Sequence, residues 1–299
     1  MAVPGPHLFI IGAMKSGTSS LFDYLAGHPQ ICASRIKEPG FFAFDDALDL
    51  GLAWYRELWD WRPDLHRYAL EGSTYYSKMP AVPDVTGTIA EQIGTEHRFI
   101  YLVRHPLRRA ESQVRHVVFG RYHVRNPDLH APADLHVTPE KSLAHGLSPH
   151  LIDFSRYAYQ LDPFVARFGR ERILVLAMEQ MIADPPSALR RICRFLDIDE
   201  DAIELNTDKV VNRGKRGIES KLWSRLNSVR ALRDVYVSVV PEALRRHVRE
   251  AMSDTSHRDL RLRLNEDEAD RILTELRPDL RRLRDEWDID VEGLWDIDL

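Results

Sequence analysis

Gly12-Ala13-Met14-Lys15-Ser16-Gly17-Thr18-Ser19-Ser20-Leu21 is the stretch that decides the fold. It follows the apolar run Leu8-Phe9-Ile10-Ile11 and opens a segment where Leu21, Phe22, Tyr24 and Leu25 recur at helical spacing. A strand that turns through small residues into a helix aims several backbone N–H groups at one point. The helix dipole adds positive potential there. Lys15 supplies a mobile full charge, and Thr18, Ser19 and Ser20 supply hydroxyl donors after Gly17. These residues spell a cradle for a phosphate-like anion. The plainer alternative is a strand-to-helix turn that binds nothing.

A kinase or ATPase loop reads G-x-x-x-x-G-K-[ST], with lysine after the second glycine. Here Lys15 precedes Gly17, and Thr18 follows the glycine directly. A second segment bears on the same point. Arg98-Phe99-Ile100-Tyr101-Leu102-Val103 reads as a buried strand, ended by Arg104-His105-Pro106. Pro106 suits the first turn of a helix, in which Leu107, Ala110, Val114 and Val117 follow at helical spacing. Arg104 then sits at the strand tip and Ser112 under two turns into the helix, placed to hold a second phosphate. The competing reading pairs Arg104 with a surface carboxylate and leaves Ser112 in solvent.

Together the two segments resemble the sulfotransferases that use 3′-phosphoadenosine 5′-phosphosulfate (PAPS), and within them the carbohydrate, heparan-sulfate-type branch. The loop at Lys15 resembles their 5′-phosphosulfate loop, and Tyr101 to His116 their 3′-phosphate segment, with Arg104 and Ser112 at its arginine and serine positions. Lys37-Glu38-Pro39-Gly40-Phe41-Phe42 resembles the K-E-x-x-F-F element that supplies the base. Glu71-Gly72-Ser73-Thr74-Tyr75-Tyr76 resembles the segment after the next strand. Ser155-Arg156-Tyr157, the run from Arg172 to Leu196, and Asn212-Arg213-Gly214-Lys215-Arg216-Gly217 resemble further elements, the last a loop closing over the nucleotide. The resemblance covers roughly residues 1–220. It departs at Gly72, where several glycosaminoglycan enzymes carry a second lysine, and at Ser19, where arginine is frequent. The first departure loosens the link to a polyanionic acceptor.

The resemblance implies a PAPS-dependent O-sulfotransferase. Lys15 stabilises the leaving phosphate, and Thr18 and Ser19, with Ser16, Gly17 and Ser20, hold the 5′-phosphate. Arg104 and Ser112, with Arg213, Gly214, Lys215 and Arg216, hold the 3′-phosphate. Tyr157 or another aromatic contacts adenine or a sugar. Glu38 is the expected base, with His105, His116 and His123 as alternatives. PAP is the expected product, and no metal is expected. The acceptor is a small molecule or carbohydrate: a hydroxyl of a sugar, lipid or secondary metabolite, with an amine left open. The other readings are a P-loop small-molecule kinase and a nucleotide-binding sensor that does no transfer.

Composition agrees. The 299 residues are 44% hydrophobic, enough for a substantial core. A net charge of −5 lacks the basic footprint of a nucleic-acid binder. Cys32 and Cys193 read as small buried hydrophobes. No stretch is long enough for a membrane span, no signal peptide is legible, and the chain reads as cytoplasmic. Oligomeric state is not legible.

Strands are expected at Leu8–Ile11, Ile31–Ala33, Tyr68–Glu71, Phe99–Val103 and Ile173–Leu176. Helices are expected at Thr18–Ala26, Leu52–Trp59, Val85–Ile93, Pro106–Phe119 and Phe154–Phe168, with Leu189–Leu196 continuing the pattern. This alternation, with the resemblance, gives an α/β, P-loop-like three-layer fold: a central, mainly parallel sheet flanked by helices, plus a helical C-terminal extension. One domain, 1–299, carries an irregular insertion about 120–150 and the extension about 220–299. Phe41, Phe42 and Phe44 are candidates to wall the acceptor pocket. Tyr55 and Trp59 read as core, and Trp287 and Trp295 are expected to pin the tail to the body.

Overall fold

The computed structural model describes residues 4–118, 150–202 and 264–299, with side chains up to Val114 in the first span. Five strands, β1 (His7–Gly12), β2 (Ile31–Ala33), β3 (Tyr68–Gly72), β4 (Arg98–Val103) and β5 (Ile173–Ala177), form one sheet in the order β2-β3-β1-β4-β5. Every pairing is parallel. Strands covered on both faces need apolar residues at every position, which is why they read as unbroken apolar runs.

Period-two alternation splits those runs between two cores. Phe9, Ile11, Phe99, Tyr101, Ile173 and Val175 face one core; Leu8, Ile10, Ile100, Leu102, Leu174 and Leu176 face the other. The second core is covered by α1 (Thr18–Leu25), by Met181, and by Leu189, Ile192 and Leu196 of a later helix. The first core takes more elements. They include α2 (Asp45–Leu48), α3 (Gly51–Arg56), α4 (Thr86–Ile93), α5 (Pro106–Val118), α6 (His150–Asp153) and α7 (Tyr157–Phe168). After β5 come α8 (Met178–Ala183) and α9 (Pro185–Leu196), then α10 (Glu266–Trp287) and α11 (Val291–Trp295). This is the expected three-layer α/β arrangement.

Two expected helices come out shorter. α3 stops at Arg56, and the chain tightens through bonds from Leu58 N to Tyr55 O and from Trp59 N to Arg56 O. That turn lets Trp59 Nε1 donate to Leu70 O at 3.1 Å, across to the sheet. Phe154–Arg156 form a break between α6 and α7, because Ser155 Oγ and Leu151 O turn to accept from the buried Arg109 guanidinium at 2.7 and 2.6 Å.

The C-terminal helices are part of the main core. α10 opens with a capping box between Asn265 and Glu268, and Leu276, Leu280 and Leu283 are fully buried. Trp287 and Trp295 are buried as expected. α7 has no capping side chain of its own. Asp279 of α10 does the work instead, accepting from Ala158 N at 3.0 Å and Tyr159 N at 2.8 Å. Burial pushes its carboxyl up to about 6, although those two N–H bonds pull the other way. Asp279→Ala is expected to lower stability by about 1–2 kcal/mol, the usual worth of a helix cap, read from urea unfolding. The charge also has a signed effect. A carboxyl raised in the folded state stabilises below its unfolded value, and that contribution is lost as pH rises through about 6. Asp279→Asn should therefore flatten stability over roughly pH 4–6.

Candidate active site

The five strands end on the same edge of the sheet, and each C-terminal end carries polar residues: Lys15 after β1, Glu38 after β2, Ser73–Lys78 after β3, Arg104 after β4 and Glu179 after β5. The strand order reverses between β1 and β4, which opens a crevice at that edge where ligands of open α/β sheets bind. Arg104 bridges it, Nη1 donating to Lys15 O at 3.1 Å.

The 12–20 loop is tightly built. A side chain at Gly12 would lie 2.1 Å from Ser77 Oγ and 2.6 Å from the Tyr101 ring, so only glycine fits. Gly17, at φ +89°, turns the chain into α1, whose first turn has no side-chain cap. Thr18 is buried; Ser19 and Ser20 are half-buried. Ser16 is fully buried, and its Oγ has no hydrogen-bond partner among the described residues. An uncapped helix start and an orphaned buried hydroxyl suit a bound anion.

Five described residues other than glycine have positive φ: Lys15 (71°), Glu38 (58°), Asp197, Asp288 and Asp296. The three aspartates are C-caps of α9, α10 and α11, where left-handed backbone is ordinary. Lys15 and Glu38 have no such reason. Each carries a cost of about 1–2 kcal/mol that the surrounding packing holds in place, a pattern that gathers at functional sites.

Glu38 is 34% exposed and is gripped from three sides. Its N–H donates to Gly72 O at 2.8 Å, while Lys37 Nζ and Thr74 Oγ1 each donate to Oε1 at 3.2 Å. Burial alone would raise its carboxyl; the charges of Lys37 and Lys78 and the two hydrogen bonds outweigh burial and hold it below the usual carboxylate range. Glu38 pairs with Lys37, whereas Arg35 is engaged with Asp60. At Gly72 an added Cβ would meet the Phe22 ring at 3.0 Å, with Lys37 Cε at 3.8 Å. Phe41 and Phe42 are buried in the core, and Phe44 is half-buried against Tyr75, 4.9 Å between centroids.

On the other side of the crevice, fully buried Tyr157 donates its hydroxyl to Arg104 O at 2.6 Å. His105 N–H donates to Glu179 Oε1 at 3.0 Å. Ser112 lies half-buried on α5. His116 lies in the part of α5 whose side chains are outside the described residues. His123 and Arg213, Gly214, Lys215 and Arg216 also lie outside the described residues.

Three features were not read from the sequence. Lys78 is 3% exposed, with Nζ 4.0 Å over the Tyr75 ring. Burial, helped by Arg109, Lys37 and Lys15 and opposed by Glu38, pulls its ammonium down to about 8. Arg109 is fully buried and also donates to Gln113 Oε1 at 2.7 Å. Glu71, buried in β3, accepts from Tyr55 and Tyr76 hydroxyls at 2.5 and 2.6 Å, and burial raises its carboxyl despite bonds from Ser73, Tyr55 and Tyr76. The one signal in the sequence that could have marked Lys78 is the scarcity of lysine, seven in 299 residues, and nothing local marks Arg109.

The sequence profile of the sulfotransferase family matches residues 60–202. Heparan sulfate glucosamine 3-O-sulfotransferase 3A1 of Mus musculus is 30% identical over 195 residues, covering 64% of this chain and 46% of the mouse protein. Bifunctional heparan sulfate N-deacetylase/N-sulfotransferase 1 of Caenorhabditis elegans is 22% identical over 206 residues, 67% of this chain and 23% of that protein. The crystal structure of a sulfotransferase from Alicyclobacillus acidocaldarius superposes with a TM-score of 0.62 at 22% identity, covering 99% of this chain and 100% of the other. The parallel sheet and these likenesses define an α/β sulfotransferase fold. The profile match over residues 60–202 and these likenesses support a member of the sulfotransferase superfamily. It spans under half the length of the mouse relative. No helix among the described residues is long and apolar enough to cross a membrane.

Proposed function

We propose that the chain transfers a sulfuryl group from PAPS to an acceptor hydroxyl. The observation that carries this reading is the pair Lys15 and Glu38, the two described non-glycine residues held in left-handed backbone away from helix ends, both facing the charge of Lys78. The orphaned Ser16 hydroxyl and the uncapped start of α1 support a 5′-phosphate at the 12–20 loop. Ser16, Gly17, Thr18, Ser19 and Ser20 would hold that phosphate. Arg104, braced by Tyr157, would hold the 3′-phosphate with Ser112 and the 213–216 loop.

PAPS supplies the sulfuryl group. The chain's own residues do the rest. Lys15 places a positive charge where negative charge builds on the phosphate oxygen as its bond to sulfur breaks. Glu38, kept ionised by its cations, accepts the acceptor's hydroxyl proton as the new oxygen–sulfur bond forms. The heparan sulfate enzymes among the relatives favour a carbohydrate acceptor, with a smaller hydroxyl compound as the other class. The small residue at Gly72 favours neither.

Thermal denaturation with PAP, 5′-AMP and magnesium-ATP side by side tests this. PAP at a hundred times its Kd is expected to stabilise by about 2.7 kcal/mol, a Tm rise of roughly 5 °C, with a much smaller rise for 5′-AMP. Stabilisation by magnesium-ATP alone would point to a kinase instead.

A further inference from the structure

The segment Ser73–Lys78 ties the two halves of the site together. Ser77 Oγ donates to Ile11 O at 2.6 Å, at the root of the 12–20 loop. Ser73 Oγ accepts from Gly40 N at 3.1 Å, Tyr76 Oη accepts from Phe42 N at 3.4 Å, and Thr74 Oγ1 donates to Glu38 itself. Lys78 closes the segment, its Nζ over the ring of Tyr75, the residue next to Thr74, and 6.0 Å from the Phe154 ring. Lysine is almost never this buried, and taking an ammonium out of water is costly. The chain has seven lysines, at positions 15, 37, 78, 141, 209, 215 and 221, and three of them converge here.

The charged groups facing Lys78 come from three places: Lys15 on the 12–20 loop, Lys37 and Glu38 after β2, and Arg109 on α5. Glu38 is the single anion among them. Lys37 sits at 24% exposure, where solvent weakens its hold, whereas the field of buried Lys78 is little screened. We propose that Lys78 is a positioning residue for Glu38: its buried ammonium, working with Lys37, keeps the carboxylate ionised so that it can accept the acceptor's proton. The catalytic consequence rests on the sulfuryl-transfer reading; the electrostatic pairing does not.

The test has two arms. In the first, the Glu38 carboxyl carbon is followed by NMR in the free, glutamate-labelled protein, with Glu38→Gln identifying the signal. Lys78→Met is expected to move the Glu38 titration to higher pH, about tenfold tighter proton binding or more, and Lys78→Arg to restore it. In the wild type the Glu38 signal is also expected to shift where Lys78, its ammonium pulled down to about 8 by burial, loses its proton, and Lys78→Arg is expected to remove that step. An unmoved Glu38 titration in folded Lys78→Met overturns the proposal. Should that variant not fold, identical Glu38 profiles in wild type and Lys78→Arg through the whole alkaline range in which the Lys78 ammonium titrates overturn it equally.

The second arm measures PAPS cleavage to PAP with water as acceptor. The acid limb of kcat is expected to move up in Lys78→Met by the amount seen in the first arm, and to return in Lys78→Arg. A shifted titration with an unshifted limb refutes the catalytic role. No cleavage and no thermal stabilisation by PAP in the wild type, with the NMR coupling intact, refute the sulfuryl-transfer reading and leave the pairing standing.

Discussion

Lys15→Ala is expected to lower kcat by about 10²–10³-fold, the loss seen when one preorganised donor to a developing oxyanion is removed. The charge on the leaving oxygen is small in the ground state and large in the transition state. The loss should therefore fall on kcat more than on PAP affinity, which backbone N–H groups and Arg104 sustain. Folding is a separate matter. Alanine carries the same left-handed penalty at φ +71° that lysine does, so Tm should hardly move. Lys15→Gly relieves that strain and should match or exceed wild-type stability while losing the same activity. The measurement is single-turnover PAP formation, with denaturation curves alongside. A loss confined to KM would show that Lys15 only binds the donor.

Glu38→Gln should reduce kcat by roughly 10²–10⁴-fold, the range for a positioned general base. Glutamine keeps the volume and can still accept from Thr74 and Lys37, so the loop should stay in place and PAP should still raise Tm. The pH dependence has a definite sign. Because Glu38 is held below the usual carboxylate range, wild-type activity should persist through mild acid and fall only as pH drops through that depressed value. Its contribution to stability follows the same window, present above the unfolded value of 4.5 and lost as pH falls through the folded one. Full activity in Glu38→Gln would move the base to one of the histidines, and a pH limb near neutrality would accompany it.

The elements around the site were legible to different degrees, for physical reasons. The strands were read to within a residue or two, since a sheet covered on both faces demands continuous apolar runs. The turn into α1 was legible because Gly12 and Gly17 mark a close approach and a left-handed cap. The break at Phe154–Arg156 was not: it exists to wrap Arg109, some 46 residues earlier in the chain. The cap on α7 came from Asp279, 121 residues beyond Ala158. Tyr157 is a candidate to contact adenine or a sugar, and only the tertiary structure shows that its buried hydroxyl braces the carbonyl of Arg104.

By itself the sequence determined the α/β alternation and made the loop around Lys15 a candidate anion cradle, because each rests on patterns within short stretches of chain; Glu38 became a candidate through the family resemblance. Tertiary structure alone decided how those groups are charged and held. The crossovers of a parallel sheet bring Lys15, Lys37, Glu38, Lys78 and Arg109 from four separate segments to one edge. A side chain's ionisation depends on burial and on neighbours within a few ångströms, and no pattern along the chain encodes either.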